Sequence, residues 1–376
     1  MTWTGFHSPS CIYTCTRFRV RKTTLIQPDE YLRLLEMSLP GIANALINRG
    51  YGTEILALSF QQSGAGMLET AFSRNLTSTF HRALAITQDP MRSLVLRYLN
   101  RWDIANIMAI LRGKQQGFPE QQVCDILVPA GELDAEFLAH LIRLSDCNEV
   151  TRALAARKWS LHPVLEEAYL TCGRKRVLAH VENALYKTYY GNLIADAESG
   201  FGGGDLFLRY LRREIDITNL RNLLRLRCYG KVCSITDFSE YMIPGGTVPL
   251  DLIRLMYRTE EQELFVDAFK KTGILPTLTR ALVNLHGGIA LSEDDAVVYI
   301  WNRWRQRKRV IHEVEIAATH VHLDELDRMS KRYPFSVLPV ISYMEEKRYE
   351  IANLRAISRG KAADMTVERI RRYLIL

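Results

Sequence analysis

One helix is written three times in this chain. Residues 104–112 read IANIMAILR, 217–225 read ITNLRNLLR and 351–359 read IANLRAISR, each preceded by an acid: Asp103, Asp216 and Glu350. A second anchor, Glu-x-Ala, opens at Glu69, Glu182 and Glu315, so the two anchors lie 34, 34 and 35 residues apart. Before these, an acid opens an apolar helix at Glu30, Glu136 and Asp251. A proline turn, VPAG at 128–131 and IPGG at 243–246, closes the first two copies, and the third reaches Leu376 without one. Pro followed by Gly is turn chemistry. Anchors recurring in a fixed order restrict the fold to copies of one unit, predicted at 1–130, 131–245 and 246–376. Each copy exceeds the 20 to 50 residues of a solenoid repeat and is therefore expected to be a small domain.

Apolar residues recur at spacings of three and four, as in Leu208, Leu211, Ile215 and then Leu220, Leu223, Leu224. That period predicts helix almost throughout and an all-α fold. On a wheel of about 100° per residue the acid and Asn of the repeat helix fall with its apolar stripe, while the Arg points the other way. Asp103 and Asn106, Asp216 and Asn219, and Glu350 and Asn353 are therefore read as a structural network, because a carboxylate and an amide beside a core need partners. Arg112, Arg225 and Arg359 are read as solvated or as interface residues, and Glu69, Glu182 and Glu315 as structural.

Composition excludes bulk disorder: 47% of residues are apolar and 24% charged. Net charge is +7 from 49 basic and 42 acidic residues mixed along the chain, an ordinary solvated surface that also admits an anionic partner. Seven cysteines without secreted-domain spacing read as thiols of a reducing compartment. The nearest pairs, Cys11 with Cys15 and Cys228 with Cys233, lack the second half of a zinc site, and no metal or cofactor is expected. The first residues have no apolar core of a signal peptide, and no run of 18 apolar residues is present, so no membrane span is expected.

No catalytic residue is assigned. The chain contains no GxxxxGK[ST], GxSxG or HExxH, and Gly202-Gly203-Gly204 lacks the Lys-Ser/Thr of a phosphate loop. His312, His320 and His322 are not at chelating helical spacing and read as surface or core histidines. The stretch IWNRWRQRKRV, 300–310, is the sharpest basic and aromatic patch. Its ordinary reading is a helix with one Trp face packed and its Arg stems solvated. The alternative reading it supports is a helical-repeat nucleic-acid-binding protein, stacking on Trp301 and Trp304.

The segments TCTRFRVRKTTLI (14–26), YGTEI (51–55), LRREIDITNLRNLLRLR (211–227), EIANLRAISRGK (350–361) and TVERIR (366–371), with the two proline turns, carry a family resemblance. Over essentially the whole length the chain resembles the C subunits of archaeal A-type and bacterial V/A-type ATP synthases, counterparts of the eukaryotic V-ATPase d subunit. That resemblance implies an all-α, funnel-shaped protein of three similar helical bundles with pseudo-threefold symmetry and no active site. It implies a central-stalk component on the cytoplasmic face of the membrane, monomeric in its complex, between the proteolipid rotor ring and the D- and F-type shaft subunits. Such a component would pass torque between ion flow and ATP chemistry, in peripheral contact with the membrane and with no nucleic-acid partner. The third copy departs from the others: 64 residues separate Asp251 from Glu315, against 39 from Glu30 to Glu69 and 46 from Glu136 to Glu182.

Overall fold

A computed structural model of the chain describes residues 9–60, 62–171, 177–199, 204–229, 238, 240–285, 292–305 and 311–376. Every helix or strand assigned among these residues is a helix, as the periodicity predicts. The chain divides into two compact units, Met1–Gly203 with Tyr333–Leu374 and Gly204–Arg332.

The first unit begins with α1 (Pro9–Lys22), α2 (Pro28–Glu36), α3 (Leu39–Leu46), a π turn at Ile47–Tyr51 and α4 (Gly52–Leu58). It continues with α5 (Gly64–Ile86), α6 (Met91–Leu99), α7 (Arg101–Gln116), α8 (Glu120–Cys124), α9 (Ala135–Arg143), α10 (Cys147–Arg157), α11 (His162–Thr171) and α12 (Val177–Glu198). Local chemistry sets many of the boundaries. Pro28 fits the first turn of α2, where its missing N–H costs nothing, and Gln27 and Glu30 form a capping box there. Asp134 and Asp146 cap α9 and α10 by accepting from the N–H of Phe137 and Glu149, each at 2.8 Å. The α7 helix stops at Gly117, which takes the left-handed conformation (φ 69°) that ends many helices.

The second unit contains α13 (Gly204–Tyr229), α14 (Leu250–Arg258), α15 (Gln262–Lys270), α16 (Leu275–Leu285), α17 (Glu293–Arg305) and α18 (Ile311–Arg332). Its core gathers Phe265, Phe269, Leu278, Leu282, Val297, Ile300 and Trp301. Both α13 and α16 pack along α18. Trp301, the aromatic lead of the basic stretch, is 2% exposed with its ring 5.1 Å from that of Phe265. Burying a side chain of that size contributes on the order of 2–3 kcal/mol, so this Trp belongs to the core. The side chains of 303–310 lie outside the described residues. His322 is also buried, with Nε2 3.4 Å from the Tyr210 hydroxyl, and burial pushes the pKa of half-buried His320 down. Gly202, Gly203, Cys172 and Cys233, and the side chains of Cys228 and His312, lie outside the described residues.

The chain then completes the first unit with α19 (Leu338–Ala362) and α20 (Val367–Arg371). The long α19 lies along both α5 and α1, and α7 lies along α12. Phe18 of α1 meets Tyr343 of α19 at 5.5 Å between ring centroids, and Tyr51 meets Phe72 of α5 edge-on at 5.8 Å. The last long helix is therefore packed against the first helices of the chain.

Candidate functional site

The three acid-Asn pairs grip loops. In α7 the Asp103 carboxylate accepts from the N–H groups of Glu132 at 2.7 Å and Leu133 at 3.2 Å. One turn further, Asn106 accepts from the Val128 N–H at 2.9 Å and donates to the Val128 carbonyl at 2.8 Å. In α13, Asp216 accepts from the Val248 N–H at 2.9 Å and from the Thr247 hydroxyl. Asn219 there bonds both the N–H and the carbonyl of Ile243 at 2.8 Å. The spacing of three sets both side chains on one face, and each Asn amide does for a residue preceding proline what a neighbouring strand would do. With Asp103 at 0% exposure and Asp216 at 1%, no water can replace these bonds.

The pair in α19 reaches the other end of the chain. Glu350 accepts from the Ile26 N–H at 2.7 Å, the Tyr51 hydroxyl at 2.5 Å and Lys347 Nζ at 2.6 Å, while Lys347 also donates to Tyr51 at 2.9 Å. Asn353 hydrogen-bonds Tyr31. Burial, and then the Glu350 charge, push the phenols of Tyr31 and Tyr51 well above their ordinary range. The third repeat helix has no proline turn after it in sequence, and the segment it holds is Ile26-Gln27-Pro28, ahead of the first copy's acid anchor.

The repeat arginines are tied to the second anchor. Arg112 pairs with Glu182, Arg225 with Glu315, and Arg359 with Glu69 through two bonds at 2.7 and 2.9 Å. Arg355 adds a 3.2 Å contact to Glu69. The arginine side chains are 46%, 58% and 61% exposed, which holds each pair to about 0–1 kcal/mol of stability. Their regularity matters more than their strength. Each Arg reaches the glutamate of a Glu-x-Ala anchor distant in sequence.

A further buried network in the first unit lies beyond the anchors of the repeat. The Tyr98 hydroxyl donates to Glu345 at 2.7 Å, Arg348 donates to Glu345 at 2.6 Å, and the Tyr189 hydroxyl donates to the Tyr98 carbonyl at 2.8 Å. Arg101, 7% exposed, lies with its guanidinium 3.9 Å from the Tyr98 ring centroid and donates to the Tyr189 hydroxyl at 3.1 Å. Sequence reasoning misses these residues and Lys347 as well. Usable signals exist: Lys347 is three residues ahead of Glu350 on the same helix face, Arg101 and Arg348 each stand two residues ahead of a repeat acid, and Tyr98 and Glu345 each stand five ahead of one.

Burial raises the Asp103 carboxyl to about 7, against the pull of its two backbone donors, and raises Asp216 for the same reason. A carboxyl whose folded pKa lies above its unfolded value stabilises the fold fully below the unfolded value, near 4, and loses that contribution as pH rises through about 7. Denaturation of the wild type and Asp103→Asn across pH 4.5 to 8 should therefore show the wild-type advantage shrinking by up to about 1.4 kcal/mol per pH unit below about pH 7 and levelling off above it. A constant difference between the two proteins would remove this assignment.

Buried carboxylates bonded to loop backbone, tyrosines and cations of their own or neighbouring helices, with arginines committed to ion pairs, are the makings of a helical scaffold. The chain belongs to the ATP synthase (C/AC39) subunit family, whose family model matches residues 14–373. It is a non-catalytic subunit of a rotary ATPase. The chain is similar to the C subunit of the A-type ATP synthase of Archaeoglobus fulgidus, 29% identical over 364 residues that cover 97% of this chain and 96% of that one. The C subunit of the Methanosarcina acetivorans A-type ATP synthase is 29% identical over 365 residues, 97% of this chain and 92% of that one. Its Haloferax volcanii equivalent is 28% identical over 376 residues, the full length of both.

Proposed function

We propose that this protein is the central-stalk subunit that joins the membrane rotor ring to the D- and F-type shaft subunits, carrying torque in ion-driven ATP synthesis or ATP-driven pumping. Family membership across 14–373 carries the reading. A torque-carrying part needs stiffness, and the clamps supply it: Asp103 with Asn106, Asp216 with Asn219 and Glu350 with Asn353 hold helix to loop with buried bonds. Copies 1–130, 131–245 and 246–376 are the repeated domains in this proposal, with the acid-Asn helices and the repeat arginines as the restraints that recur between them. Arg112, Arg225 and Arg359 then act between copies. No helix among the described residues is long and apolar enough to cross a membrane; the seat in this proposal is peripheral, on the cytoplasmic face. The nucleic-acid reading has no support, since its leading aromatic, Trp301, is spent in the core.

The test is a pull-down of the tagged chain from detergent-solubilised membranes. A proteolipid ring protein and two shaft subunits should copurify in fixed ratio. Recovery of stator subunits without ring or shaft would overturn the proposal.

A further inference from the structure

We propose that the exposed face of α1 is a membrane-surface element that binds anionic lipid headgroups. The helix carries two apolar faces. One holds Cys11, Cys15 and Phe18, at 6%, 0% and 0% exposure, and packs along α19. The other is open: Ile12, Tyr13 and Val20 are 41%, 54% and 62% exposed. With Ile12 at 0° and about 100° per residue, Val20 falls at about 80° and Tyr13 at about 100°, with Thr16 between them near 40°. Arg19 lies near 340° and Arg17 near 140°, so an arginine borders the apolar strip on each side.

The charged residues of this stretch of chain have one sign. Residues 1–28 contain Arg17, Arg19, Arg21 and Lys22 and no Asp or Glu. Lys22 is spent on Glu346 at 2.5 Å, whereas exposed Arg17 and Arg19 form no ion pair with a carboxylate among the described residues. Arg17 donates to the Tyr13 hydroxyl and stands over its ring at 5.4 Å, which keeps its stem beside the strip. An apolar strip bordered by cations is how a helix lies in a headgroup layer, with side chains inserted and arginines reaching the phosphates. A nucleic-acid face would need its cations across the centre, where Ile12, Thr16 and Val20 stand. The proposal names the surface and lipid chemistry for the membrane contact proposed above and, in the cell, rests on it.

The full-length chain should cosediment with vesicles of phosphatidylcholine mixed with phosphatidylglycerol and only weakly with phosphatidylcholine alone, the difference fading as salt rises. Arg17→Ser with Arg19→Ser should lower the partition coefficient about tenfold or more, and Ile12→Ser with Val20→Ser by a comparable factor. All four positions are exposed, so both variants should keep the wild-type melting profile, which is recorded alongside. Equal binding to both vesicle types, unchanged binding by the variants, or binding to duplex DNA with the same dependence on these four residues would each overturn the assignment. The pull-down is scored in detergent, where lipid binding is absent, so ring association and lipid binding fail or succeed separately.

Discussion

Glu350→Ala should be the most damaging single substitution in the first unit, costing about 3–5 kcal/mol. Lys347 has a side chain only 8% exposed and donates one of its three N–H groups to Glu350 at 2.6 Å. Removing the carboxylate leaves that ammonium in the core with the Tyr51 hydroxyl as its hydrogen-bond partner, and leaves the Ile26 N–H without an acceptor. Stranding one member of a buried pair costs far more than the intact pair contributes. Glu350→Ala with Lys347→Met should therefore recover a good part of the loss. Denaturation midpoints would measure both, and limited proteolysis would report whether the segment 23–27, which Glu350 holds, opens first. A single variant no worse than the double would show that the ion pair is not what holds this region.

Much of this scaffold is legible in the sequence because its restraints are periodic. Helical spacing gives the fold class, and the constant distance from Glu-x-Ala to the acid-Ile-x-Asn helix gives the repeat. The wheel places the acid and Asn with the apolar stripe, and Asp103, Asp216 and Glu350 are buried and accept hydrogen bonds. The identity of those partners is not periodic. Glu350 and Ile26 are separated by 324 residues, and nothing local to either one names the other. The wheel turns the repeat Arg away from the apolar stripe without giving its end point, because a direction leaves open whether water or the Glu of a neighbouring helix waits there. Arg359 and Glu69 are 290 residues apart. The network of Arg101, Tyr98, Tyr189 and Glu345 depends on helices that meet only in the folded unit, so although Tyr98 and Glu345 each stand five residues ahead of a repeat acid, the sequence does not show that they bond to each other.

The proline turns carry the other large effect. Gly131→Ala should cost about 2–4 kcal/mol, for reasons of space rather than backbone preference. A Cβ on Gly131 would lie 2.5 Å from Asp103 Cγ and 2.6 Å from Oδ1. The carboxylate has no room to retreat, being fully buried, and moving it gives up the N–H groups of Glu132 and Leu133. Gly246 crowds Asp216 in the same way, with Ile215 Cγ2 at 3.2 Å on another side. Gly245 is different: its φ of 97° puts it where an L side chain is strained, with a cost of about 1–2 kcal/mol for alanine, whereas Ala130 at the corresponding place in the first turn has no positive φ. The two mechanisms separate in a double-mutant cycle. If Gly131→Ala acts by colliding with the carboxylate, it should cost much less in an Asp103→Ala background, where the colliding atoms are gone, so the two losses will not add. Additive losses would mean that the turn itself needs glycine at 131 and that the close fit to Asp103 is incidental.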